Sequence, residues 1–94
     1  MEPLTLPKIH EFLSTVDGWT YEQWMLKAEF EFESFLEAVS FVNDLAEVAE
    51  HLAHHPDITI LYNKVQLATV THDAEDQITD QDLELVKAVE QLIE

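Results

Sequence analysis

Between residues 26 and 33 the chain alternates without a break. Leu26, Ala28, Phe30 and Phe32 are apolar, while Lys27, Glu29, Glu31 and Glu33 are charged. Successive side chains of a β-strand point to opposite faces, so this pattern predicts a strand with one face in a core and the other in water. Ser34-Phe35-Leu36-Glu37 follows, a capping box in which the Ser oxygen and the Glu carboxylate satisfy orphan backbone donors at a helix start. Phe35, Val39, Val42, Ala46 and Ala49 then recur on one stripe, flanked by Leu36, Leu45, Val48 and Leu52. The spacing predicts a long buried helix from Phe35 to about Ala53. Pro56 cannot continue it and pushes the preceding residue out of helical geometry, so the chain leaves the helix around His54 and His55.

The same reading extends outward. Pro7 to Leu13 carries Ile9, Phe12 and Leu13 at helical spacing, with a proline suited to a first turn. Asp17-Gly18, which holds the only glycine of the chain, marks a turn before a strand through Trp19 and Tyr21. Ile58–Leu61 and Val65–Thr71 read as two strands around the turn Tyr62-Asn63-Lys64, and residues 73–77 as a polar loop. Thr79-Asp80-Gln81-Asp82 caps a last helix whose apolar stripe is Leu83, Val86, Val89, Leu92 and Ile93. The order α-β-β-α-β-β-α predicts an α+β fold: a four-stranded antiparallel sheet with the helices packed on one face.

Ninety-four residues suffice for a single domain spanning residues 1–94, and a chain this short gains from pairing with copies of itself. With no Cys, disulfides and thiolate metal sites are excluded. No apolar run reaches membrane-span length and the start Met1-Glu2-Pro3-Leu4 lacks a basic signal region, so a cytoplasmic location is expected. Twenty acids against four bases give a formal charge of -16. Such a surface repels phosphate backbones and anionic lipid, which argues against direct nucleic-acid binding and against membrane association.

Four of the five His lie between positions 51 and 72. Imidazole changes protonation near neutral pH, so a cluster of three, His54, His55 and His72, suits general acid–base chemistry. The partial negative charge of a helix C-terminus would favour imidazolium at the first two. Glu50, one turn before His54, is placed to orient an imidazole. A metal site is the competing reading, with His51 and His54 on one helical face and His55 or His72 as a third ligand. No HExxH pattern occurs, and acid–base work needs neither metal nor cofactor, so none is expected.

The string Glu50-x3-His54-His55-Pro56-x5-Tyr62-x9-His72, followed by Asp82, resembles the signature of the pterin-4a-carbinolamine dehydratases. Gly18-Trp19, the alternating strand ending in Glu31-Phe32, and Tyr62-Asn63-Lys64-Val65 are similar to further family features, so the resemblance runs from about Val16 to Ile93. It implies an enzyme with a pterin substrate, dehydrating the 4a-hydroxytetrahydropterin left by aromatic amino-acid hydroxylases. It implies His54 and His72 as proton-transfer groups, with His55 contacting the pterin or sharing the base role. Glu50, Pro56, Thr71, Asp82 and Trp19 follow as substrate-binding or supporting positions.

The resemblance also implies a homodimer or homotetramer built through sheet edges and helices. Animal members double as a dimerisation cofactor of a homeodomain transcription factor, so a non-catalytic interaction module is an alternative. Dehydration within another, molybdopterin-related pathway is a second. Retention of all three His favours the enzyme. Two departures stand out: residues 74–77 replace a Gly-containing loop and are one residue longer, and Ile58 replaces a Trp.

Overall fold

A computed structural model describes residues 2–93. Helix α1 spans Leu6–Leu13, strands β1 and β2 span Trp19–Glu22 and Met25–Glu31, and helix α2 spans Phe35–Leu52. Strands β3 (Asp57–Leu61) and β4 (Lys64–Thr69) follow, then a 3-10 turn at His72–Ala74 and helix α3 at Asp80–Leu92. Each hairpin pairs internally, and the two hairpins join through β2 and β4, giving the antiparallel order β1-β2-β4-β3. The α+β reading and the order of elements hold. No described helix is long and apolar enough to cross a membrane.

Alternation decides which face of the sheet is buried. Leu26 and Ala28 of β2 and Val65 and Leu67 of β4 are buried, whereas Glu29, Glu31 and Gln66 between them face water. Leu67 pairs with Ala28 on one side and Ile58 on the other, so the register aligns apolar positions across the central strands. Ala38, Phe41 and Leu45 of α2 and Leu85, Val86 and Val89 of α3 complete the core. The stripe expected for α2 is turned relative to the one observed: Phe35 and Leu36 are exposed and so is Ala46, while Ala38, Phe41, Leu45 and Ala49 are buried. The helix is apolar around most of its circumference, so period alone leaves its rotation open, and the packing of Phe41 against Phe30 and Phe32 settles it. In α3 the exposed Ile93 yields its expected core place to Leu85.

Two local devices turn the chain through left-handed residues. The hairpin turn between β1 and β2 is Gln23-Trp24, both at positive φ (54° and 69°), as in the primed turns that match strand twist. Helix α2 ends in a Schellman motif: the N–H of His54 donates to the carbonyl of Ala49 and that of Ala53 to Glu50, both at 3.1 Å. Ala53 supplies the left-handed residue this motif requires, at φ 54°. The turn reverses the chain abruptly, so that His54 and His55 leave the helix in different directions.

A β-carbon at that left-handed position costs roughly 1–2 kcal/mol, against less than ~1 kcal/mol of extra unfolded-state entropy for glycine. Ala53→Gly is therefore expected to stabilise the protein by about 0.5–1 kcal/mol. Urea unfolding should show a raised midpoint at unchanged slope.

Candidate active site

The chemistry-bearing residues gather where the ends of α2 and β4 meet the start of α3. Asp82 is the third residue of α3, and its carboxylate accepts the backbone N–H of Thr79 at 2.9 Å, closing a capping box with the Thr79 side chain. The Thr71 hydroxyl donates to the same oxygen, Oδ2, at 2.7 Å, and that of Thr69 to Oδ1 at 2.6 Å. His54 Nε2 also meets Oδ1 at 2.6 Å. The Thr79 hydroxyl donates to Thr71 Oγ1 at 2.8 Å, since the Thr71 hydrogen is already committed to Asp82. Asp82 and Thr79 are fully buried, and Thr69, Thr71 and His54 nearly so. No buried side-chain nitrogen or oxygen among the described residues lacks a partner. A carboxylate only accepts, so the shared hydrogen lies on Nε2, and Nδ1 is the nitrogen left free of Asp82.

His55 and His72 are held differently. His55 Nε2 contacts Glu50 Oε2, with both side chains mostly exposed. Glu50, expected to orient an imidazole, contacts that of His55: the Schellman turn carries His54 inward, away from the face Glu50 occupies. His72 does not end β4, which stops at Thr69, but opens the 3-10 turn. Its Nδ1 meets Asp76 Oδ1 at 2.6 Å. The hydrogen bond to Asp76 and its charge, with smaller contributions from Asp57 and Asp73, raise the His72 pKa above the ordinary value. The expected polar loop is a closed one, since Thr71 N donates to the Gln77 carbonyl at 3.0 Å.

All three imidazoles line one hollow of about 240 Å³, together with Ala53, Val70, Thr71, Asp73 and Gln81. His54, His55, His72 and Thr71 are thus brought together, with Asp82 behind His54 and Glu50 at the rim beside His55. Pro56 and Trp19 are not among the lining residues. Trp19 is a core residue: its ring packs edge-on against Phe30 and its Nε1 donates to Glu90 Oε1 at 3.1 Å. His51 lines a separate groove between α2 and α3 with Asp44 and Glu47, so the metal reading through His51 and His54 has no common point. Among the described residues no group of three His, Asp or Glu side chains is placed to hold a metal ion.

Sequence reasoning missed Thr69, and read Thr79 as a helix cap without its link to Thr71. A threonine on the inward face of a strand, with a capping-box acid thirteen residues on, is the signal that could have exposed them.

Known proteins resemble this chain over nearly its whole length. The family model described as pterin 4 alpha carbinolamine dehydratase matches residues 2–92. A relative from Sulfurisphaera tokodaii, provisionally named pterin-4-alpha-carbinolamine dehydratase, is 41% identical over 99% of both chains. One from Acidobacterium capsulatum with the same provisional name is 43% identical, over 99% of this chain and 100% of its own. The crystal structure of a transcriptional coactivator/pterin dehydratase from Brucella melitensis superposes with a TM-score of 0.91 at 29% identity, covering 97% of this chain and 98% of that one.

Two predictions follow from the geometry. Asp82→Ala leaves two hydroxyls, an amide and an imidazole facing an empty site and should cost about 3–5 kcal/mol. Thr69→Val removes one donor at similar shape and should cost about 1 kcal/mol. Denaturant unfolding separates the two. For His72, Asp76→Asn should lower its pKa toward the ordinary value, read from the imidazole proton shifts against pH. Because the folded-state pKa is the raised one, the stability this pair contributes is fully present below the unfolded value of 6.5 and is lost as pH rises through the folded one.

Proposed function

The chain belongs to the pterin 4 alpha carbinolamine dehydratase family, and we propose that it removes water from a 4a-hydroxytetrahydropterin to give the quinonoid dihydropterin. What carries this reading is the convergence of His54, His55 and His72 on one hollow, each with its own carboxylate partner. In the reaction the C4a–O bond breaks as the hydroxyl takes a proton and leaves as water. N5 gives up its proton, and the electron pair of that bond closes the C4a=N5 double bond.

Two proton-transfer groups of opposite readiness are needed, and two of the imidazoles are prepared in opposite ways. His72, its pKa raised by Asp76, holds a proton further into the neutral range and acts as the general acid toward the departing hydroxyl. His54, whose Nε2–H is engaged by Asp82, presents the lone pair of Nδ1 and acts as the base toward N5. His55, exposed at the rim on Glu50, contacts the pterin or shares the base role. Thr71 is committed to Asp82 and Thr79 and supports His54 rather than donating to the ring. A purely scaffolding protein would have no use for a buried, carboxylate-held imidazole opening on a hollow. The acting form is a homodimer or homotetramer. In support, Phe35, Leu36, Leu61 and Tyr62 are exposed at the end of the molecule where Asn63 clasps the Phe32 backbone.

Removing one positioned acid or base typically costs 10²–10⁴-fold in rate. His72→Ala, an exposed substitution that should leave the fold intact, is expected to lower dehydration of 4a-hydroxytetrahydropterin by roughly 10²-fold or more. His54→Ala should lower it similarly. Full activity in His72→Ala would overturn the assignment.

A further inference from the structure

The hollow is not isolated. Val70 and His72 line it and also line a larger groove of about 780 Å³ on the other side of His72. The two differ in character. The hollow is walled by imidazoles, Thr71, Asp73 and Gln81, whereas the groove carries Leu6, Tyr21, Trp24 and Met25. Asp57, Glu75 and Asp76 stand in the groove wall, and no Lys or Arg lines either cavity.

Trp24 needs an explanation of its own. It is a bulky aromatic held at φ 69° in a hairpin turn whose geometry favours Asn or Gly, and it is 73% exposed. Among the described residues six non-glycine residues have positive φ, and four of them, Gln23, Trp24, Glu75 and Asp76, line the groove, while a fifth, Ala53, lines the hollow. Backbone in sparsely populated conformations collects where a ligand is clamped.

Resting on the pterin reading above, we infer that the groove receives the C6 substituent of the substrate, and that the enzyme selects pterins with an uncharged, apolar-bodied substituent and rejects phosphorylated ones. The pyrimidine end of a pterin is rich in donors and acceptors and would strand them in an apolar groove, so it belongs in the polar hollow. C6 is bonded to N5, a reacting atom, so its substituent leaves the hollow within one bond of the proton-transfer groups. His72, one of those groups, stands on the border with the groove. An apolar substituent gains from burial against Leu6, Tyr21, Trp24 and Met25. A phosphate would meet three carboxylates, and among the described lining residues the one group able to carry positive charge, His72, is already paired with Asp76, on a chain of formal charge -16.

The test is calorimetric binding of three stable probes to the full chain: 6-methyl-, 6-propyl- and 6-(phosphooxymethyl)-7,8-dihydropterin. The propyl compound should bind roughly tenfold tighter than the methyl compound, as two buried methylenes imply, and the phosphate at least roughly tenfold more weakly. Trp24→Ala and Leu6→Ala, both at exposed positions, should each bring the propyl-to-methyl ratio toward one. Methyl binding with a flat propyl ratio, a ratio that both variants leave intact, or phosphate binding as tight as methyl would overturn this inference alone. No binding of the methyl compound would overturn the pterin reading and this inference with it.

Discussion

A single buried carboxylate ties the structure together. Asp82 stands at the start of α3, yet its oxygens reach β4 through Thr69, the segment beyond β4 through Thr71, and the end of α2 through His54. An ion of that size moved out of water without partners costs several kcal/mol even after relaxation. Here four donors converge on two oxygens, and the cost is offset only while all four are in place. The demand is geometric: the end of α2 must stop where its Schellman turn delivers His54, and β4 must release Thr71 toward Gln77. Three elements distant in sequence are thereby fixed to one point, which is also the wall of the hollow.

The arrangement separates two jobs that a histidine cluster would otherwise mix. His54 is immobilised and dry, its tautomer set by Asp82, at the expense of exposure to bulk protons. His55 and His72 are exposed, and each meets its carboxylate, Glu50 or Asp76, in water. Charge pairs of that kind contribute little to stability because solvent screens them; their effect is to bias protonation and aim a ring. Among the described residues, His10 and His51 have neither a carboxylate ion pair nor a place at the hollow. The strongly acidic composition is thus partly local in purpose, since every imidazole at the hollow draws on one of the acids.

Much of this was legible in the chain. The alternation from Leu26 to Phe32, the capping box at Ser34 and the break at Pro56 each follow from local backbone chemistry and hold to within a residue or two. The three imidazoles were legible as a group, because their spacing is tied to element ends that the pattern predicts. What stayed hidden depends on direction. The sequence places Glu50 one turn from His54 on a helix, but a left-handed alanine redirects His54, and nothing in the residue Ala53 announces a positive φ. The rotation of α2 could not be read because its apolar residues encircle it. The partners of Trp19, a strand residue beside a turn, show only after the sheet is assembled and sets it against Phe30.

Thr69 marks the deepest limit of such reading. At that inward position of β4 the pattern asks for an apolar side chain, as at Val65 and Leu67 four and two residues earlier. A threonine there forfeits at least one methyl's worth of apolar burial, and its hydroxyl would cost ~1–3 kcal/mol if left unpaired. It is tolerated because Asp82 accepts from it, and its oxygen also lies 3.2 Å from His54 Nε2. The hydroxyl gives its hydrogen to the same carboxylate oxygen that holds the imidazole, so two donors share Oδ1 and the ring is steadied from both sides. A departure from the strand's own pattern is therefore the point at which core packing gives way to chemistry.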